Sequence, residues 1–195
     1  MRAPARAAHA AAALGIAACL VGCGSQARHS HQATGQATGV LSADAVGRLP
    51  AVTRELTAAD VQQDSSQAGL AARLRRWGYL GGWQRTFQGE SHRLTLVVSR
   101  SLMFRSSPGA ASFVSYLDKH LGSFYPFAVS KPLTLAGQSG WLIKPPLCAC
   151  HLAEPLYVGV TAAGRQVRWL EINGPRATST LLASLLTELP VAGHA

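Results

Sequence analysis

The first 23 residues decide which part of this chain is available to fold. Arg2 and Arg6 open it, an apolar run made mostly of alanine follows from Ala7 to Val21, and Leu20-Val21-Gly22-Cys23 closes it. A positive start, an apolar run and small residues before a fixed point form the layout of an export signal. The run is interrupted by His9 and Gly15, and it is shorter and less apolar than the roughly 20 strongly apolar residues a bilayer-spanning helix takes. Residues 1–22 are therefore read as a signal peptide, and everything that folds comes after it.

The tetrapeptide ending at Cys23 resembles the lipobox of bacterial lipoproteins, where the signal peptidase cuts before the cysteine and the cysteine is lipidated. The resemblance implies cleavage between Gly22 and Cys23, a thioether-linked diacylglycerol with acyl chains such as palmitate on Cys23, and a protein held to the extracytoplasmic face of the cell membrane. Each buried methylene of such an anchor contributes about 0.8 kcal/mol. On the residues alone, an ordinary secretory signal cut elsewhere stays open, with Cys23 as a free thiol or disulfide partner.

Residues 24–39, GSQARHSHQATGQATG, are small and polar and cannot build a core. With Cys23 they read as a flexible tether over 23–39, reaching about 20–25 Å from the membrane. His29 and His31 lie in it, and two histidines on a mobile tether are weak metal ligands. Residues 40–195 are then one extracytoplasmic domain, long enough and aliphatic enough to bury a core. The full chain carries a formal charge of +9, or +7 without Arg2 and Arg6, which draws the protein toward anionic headgroups and acidic wall polymers. The arginines are scattered and the compartment is wrong for nucleic acid, so no nucleic-acid partner is expected. The expected partners are the membrane through the anchor and an envelope protein, lipid or wall polymer.

Residues 40–56, around Pro50, read as an irregular segment lying on the domain. Thr57-Ala-Ala-Asp60 matches a capping box, so a helix is expected within Ala58–Trp77, interrupted near Asp64-Ser65-Ser66, with Gly78 as terminator. Gly81-Gly82 opens a strand from Trp83 to Gln88, Gly89-Glu90-Ser91 turns, and a longer strand runs from His92 to Phe104 with Leu94, Leu96 and Val98 alternating inward. Ser106-Ser107-Pro108 is a strong helix start, Ala110, Phe113, Val114, Leu117 and Leu121 form its apolar face, and Gly122 ends it. Four short strands follow, Val129–Leu135, Ser139–Lys144, Leu156–Thr161 and Val167–Ile172. Thr178 or Ser179 starts a closing helix that ends near Leu189, before Pro190.

This order lacks repeated βαβ units, so the expected class is α+β: an antiparallel sheet of about five to six strands with helices packed on one side. In element order over roughly residues 66–190 it resembles exported domains of the PsbP-like class, and in layout it is similar to uncharacterised actinobacterial exported lipoproteins.

Two stretches carry candidate chemistry. Lys144-Pro-Pro-Leu-Cys148-Ala-Cys150-His151-Leu-Ala-Glu154-Pro155 is stiffened by prolines and presents two thiols and an imidazole. With Cys19 lost to the signal and Cys23 to lipid, Cys148 and Cys150 form a local disulfide, bind copper or zinc with His151, or exchange electrons with a partner thiol. The second stretch is Trp77-Gly-Tyr79-Leu-Gly-Gly-Trp83 with Arg85, aromatic rings on a glycine-rich bend that suit a ligand surface; the plainer reading makes Trp77 and Trp83 packing residues. Trp141 and Trp169 are expected in the core. Enzyme signals are poor. Ser139 in Gly-Gln-Ser139-Gly lacks the hydrolase elbow, and nothing in spacing ties it to His92, His120, His151 or Asp118. The function expected is a binding or accessory module without a resident cofactor. A copper, zinc or redox site on the Cys148–His151 loop is the alternative, and a hydrolase a more distant one.

Overall fold

The computed structural model describes residues 37–89, 94–125, 129–135, 138–144 and 156–190. These residues form seven strands in one antiparallel sheet: β1 (Ala51–Leu56), β2 (Tyr79–Gln88), β3 (Leu96–Phe104), β4 (Val129–Leu135), β5 (Gln138–Lys144), β6 (Leu156–Ala163) and β7 (Gln166–Asn173), in the spatial order β1-β2-β3-β7-β6-β5-β4. Four helices accompany them: α1 (Ala58–Gln63), α2 (Leu70–Arg76), α3 (Ser107–Phe124) and α4 (Ser179–Glu188). The α+β class and the antiparallel sheet are those expected from the sequence.

Local chemistry sets the helix starts. The Thr57 hydroxyl accepts from the Asp60 amide while the Asp60 carboxylate accepts from the Thr57 amide, a complete capping box at α1. Ser106 and Thr178 cap α3 and α4 by accepting from Gly109 and Leu181. The expected interruption near Asp64 is present: Asp64 closes α1, and α2 begins at Leu70 after a left-handed Gly69. Gly109 admits the Trp77 carbonyl so closely that a Cβ there would collide with it, which locks the start of α3 onto the end of α2.

Two expectations change. The seventh strand is β1, from the stretch read as irregular. Only Leu56 of its six residues is buried, so this edge strand shows no alternating apolar signal. The helices, moreover, lie on both faces of the sheet. Leu102, Phe104, Val167 and Trp169 pack with the apolar faces of α1, α2 and α3. Residues of opposite parity, Val97, Leu170 and Ile172, pack with Leu182, Leu185 and Leu186 of α4 and with Leu41 and Val46 of the N-terminal segment. The physical reason shows in β3, where Val97 and Val98 are consecutive and both buried. A strand covered on two faces loses the alternation of a half-exposed one. β3 accordingly begins at Leu96 and is buried from Val97 to Leu102 and at Phe104, with Leu96 and Met103 half-buried. β2 also starts earlier than Trp83, at Tyr79, with a bulge between Tyr79 and Gly81.

The N-terminal segment is already packed on the sheet at Gly39, and Leu41 donates its amide to the buried Ser99 hydroxyl at 3.0 Å. Trp141 and Trp169 are core residues on strands, as expected.

Candidate functional site

The aromatic-glycine stretch does not stay together as one surface. Tyr79 and Trp83 line a cleft of about 510 Å³ where β1 ends and β2 begins. Its remaining walls include Glu55, Thr57, Leu80, Met103 and the backbone of Gly81 and Gly82. The bulge at Tyr79/Gly81, with Gly81 at φ 148°, turns the strand so that these side chains converge. Gly82 lies against the Ser101 carbonyl, Leu102 and the Tyr79 hydroxyl, and a Cβ there would collide with them.

Each polar group in the cleft has a distinct state. The Tyr79 hydroxyl donates to the Leu56 carbonyl at 2.7 Å, and its ring meets Phe104 edge-on at 5.5 Å. Burial, and secondarily the Asp60 carboxylate, push the phenol well above its ordinary range, so it is a fixed neutral donor and not a proton-transfer group. Glu55 sits directly across from Trp83 in the β1–β2 register. Its carboxylate is exposed and makes no ion pair or side-chain hydrogen bond among the described residues. Leu80, at the rim, is 59 % exposed, a high value for a large apolar side chain. The cleft thus offers an aromatic and aliphatic wall with one carboxylate at its edge.

Trp77 and Arg85 belong elsewhere. Trp77 packs on Tyr116 and Phe113 of α3, with ring centroids at 5.5 and 6.3 Å, beside a shallow groove that also includes Lys119 and His120. Arg85 donates to the Thr53 hydroxyl at 3.0 Å and to the Leu41 carbonyl at 2.9 Å, which ties the N-terminal segment to the sheet. Gly22, Cys23, Cys148, Cys150 and His151 lie outside the described residues, as do His29, His31 and His92. Ser139 is on β5, while Asp118 and His120 are on α3, where the His120 ring lies 4.4 Å from that of Tyr116. Among the described residues no group of three His, Cys, Asp or Glu side chains is placed to hold a metal ion, and no helix is long and apolar enough to cross a membrane.

A second concave region was missed by the sequence reading. Arg100, in the middle of β3, is 9 % exposed and faces α1 and α3. Its Nε donates to Gln84 Oε1 at 2.8 Å, its Nη1 donates to Glu171 on β7, and its Nη2 lies 3.3 Å from Asp64 at the end of α1. The guanidinium stacks on the Trp169 ring, 4.5 Å from its centroid. Burial opposes the Arg100 charge, but Glu171, Tyr125 and Asp64 outweigh it, and its pKa is raised. For Asp64 the net direction is also upward: burial first, with the Glu171 and Asp60 carboxylates, raises its pKa against the lowering by Arg100 and Arg54. The signal available in the sequence was a charged residue in the middle of each of two strands, Arg100 in β3 and Glu171 in β7.

No family model matches this chain, and no curated protein does. Among solved structures it is similar to the extracellular domain of PknH from Mycobacterium tuberculosis. The TM-score is 0.47 and the identity 10 %, over 75 % of this chain and 87 % of that one. A likeness at that level transfers neither function nor site from one chain to the other.

Proposed function

We propose that this protein is a lipid-anchored extracytoplasmic binding module that takes its ligand in the cleft beside Trp83. The N-terminal layout up to Gly22-Cys23 supports the anchor and the compartment. The cleft supports the activity, and one observation carries it: Trp83 and Glu55, side by side in the β1–β2 register, line one concavity of about 510 Å³, within the roughly 300–1,000 Å³ of small-molecule sites. Trp83, Tyr79, Leu80 and Met103 suit an apolar face or an acyl or ring segment. Glu55 selects a hydroxyl, an amine or another donor, and it disfavours an acidic group at that point. The ligand class is therefore a neutral or cationic amphipathic component of the envelope, which an anchored domain meets by position.

The test has two arms. Cys23→Ala should move the protein from the membrane fraction to the soluble fraction. Tryptophan fluorescence of the mature chain, titrated with solubilised envelope lipids, should change saturably in the wild type and not in Trp83→Ala. Unchanged fractionation of Cys23→Ala would remove the anchor from the account, and an identical titration by Trp83→Ala would remove the cleft.

A further inference from the structure

Strand directions bring several chain segments to one end of the sheet. β1 ends there at Leu56, β2 begins at Tyr79, β3 ends at Phe104, and the chain turns from β6 into β7 between Ala163 and Gln166. The register aligns them: Tyr79 stands opposite Phe104, and Met103 opposite Gln166. α2 also runs into this end, and Gly78, at φ 80°, turns the chain from it into β2.

Four arginines gather there. Arg75 and Arg76 are in the last turn of α2, Arg105 directly follows β3, and Arg165 is in the β6–β7 turn. Backbone hydrogen bonds join these places: Arg105 donates its amide to the Gly78 carbonyl at 2.7 Å, and Phe104 donates to the Arg165 carbonyl at 2.8 Å. All four side chains are exposed, and none makes an ion pair among the described residues. The carboxylates of this end are Glu55, Asp60 and Glu188. Asp60 is engaged by its capping box and lies 3.8 Å from Arg54, so the four arginines stand against two carboxylates. Among them is Leu80, one of two large apolar side chains exposed among the described residues. A lone exposed leucine is ordinary. One flanked by unpaired cations suits a bilayer surface, where the apolar tip meets the acyl boundary and each cation is attracted by anionic headgroups.

The path of the chain leads to the same end. The described residues begin at Ala37, and Thr38 is already on the cleft wall with Leu80 and Trp83. Gly39 then lies against Ser101 and Gln166. A span as short as residues 24–37 keeps Thr38 close to an anchor at Cys23, since even a freely flexible chain of that length reaches only about 20 Å.

We infer that this end of the sheet, with Leu80 at its tip and Arg75, Arg76, Arg105 and Arg165 around it, is a docking surface for anionic lipid headgroups, and that docking opens the Trp83 cleft toward the bilayer. The orientation of the cleft rests on the anchored-module reading above; the contact between arginines and headgroups does not.

The test uses the mature chain carrying Cys23→Ala, which has no acyl anchor. Vesicles of equimolar phosphatidylglycerol and phosphatidylcholine should carry it down on sedimentation, and vesicles of phosphatidylcholine alone should not. Arg105→Gln should weaken that partitioning about fivefold, the effect of one cation near an anionic surface. Leu80→Ser should weaken it severalfold. Arg176→Gln should leave it unchanged, because Arg176 is an exposed arginine beyond the far end of β7, where Asn173 stands opposite Leu96. Arg105 is not a cleft residue and the chain carries no lipid, so a failure here leaves the anchor and the cleft standing, and their failure leaves this test standing. Four results would overturn the inference: no sedimentation with phosphatidylglycerol vesicles; equal sedimentation with both kinds; a loss in Arg176→Gln as large as in Arg105→Gln, which would make net charge the cause; or binding to soluble polyglycerol phosphate and not to vesicles, which would make a wall polymer the partner.

Discussion

At the β1–β2 edge, Trp83, Tyr79 and Leu80 present apolar surface to solvent around a single exposed carboxylate, Glu55. At the centre of the same sheet, Arg100 and Glu171 are charges held away from solvent among aromatic rings. Each region places side chains where folding alone would not favour them, and the two departures differ in cost. An exposed leucine costs little and is common. A buried ion pair carries a desolvation penalty that only good geometry and further hydrogen bonds offset, and breaking it leaves an uncompensated charge. The edge region is therefore open to change, while the central one is bound up with the stability of the sheet.

Four substitutions test that contrast, in decreasing order of effect on stability. Glu171→Gln leaves Arg100 without its closest carboxylate and should cost about 3 kcal/mol in chemical denaturation. A loss below about 1 kcal/mol would show that Asp64 and Gln84 suffice to hold the guanidinium. Tyr79→Phe removes the bond to the buried Leu56 carbonyl and should cost about 1 kcal/mol, which measures how firmly the cleft is tied to the core. Trp83→Ala, at a half-buried position, should cost less than about 1 kcal/mol while removing the ligand response. Melting that fell as far as for Glu171→Gln would make Trp83 a core residue and end the contrast.

Asp64→Asn should be the mildest, within about 0.5 kcal/mol at neutral pH, because a partly exposed ion pair contributes little. Its signature is in the pH profile. The native pKa of Asp64 is raised above 3.8, so the folded state holds the proton more tightly than the unfolded chain does. The stability this contributes is present below pH 3.8 and is lost as pH rises through the native value. Asp64→Asn should flatten that part of the curve. A variant that lost stability above the native value, and not below it, would show Asp64 acting chiefly as a partner of Arg100.

Much of the fold could be read from local chemistry. The caps at Thr57, Ser106 and Thr178, the gap between α1 and α2, and the strands from β4 to β7 lie within a few residues of their expected places. β1 was hidden because pairing with β2, and not an apolar face, makes it a strand. The side on which α4 packs was hidden because an amphipathic helix fits either face; the adjacent valines Val97 and Val98, which break the alternation, were the available hint. For the site, glycines and rings pointed to Tyr79 and Trp83, but Trp77 ends a helix and Arg85 is spent on Thr53 and Leu41. Nothing within one strand ties Arg100 to Glu171. Their meeting depends on the β3–β7 register, in which Arg100 stands opposite Trp169 and Val98 opposite Glu171.

The most direct test follows the four tryptophan indole resonances of the mature chain while solubilised envelope lipids are added. A saturable shift at Trp83, with Trp77 unmoved, is the result expected of a ligand cleft at the sheet edge. A shift confined to Trp77, or none at Trp83 at any concentration, would contradict it.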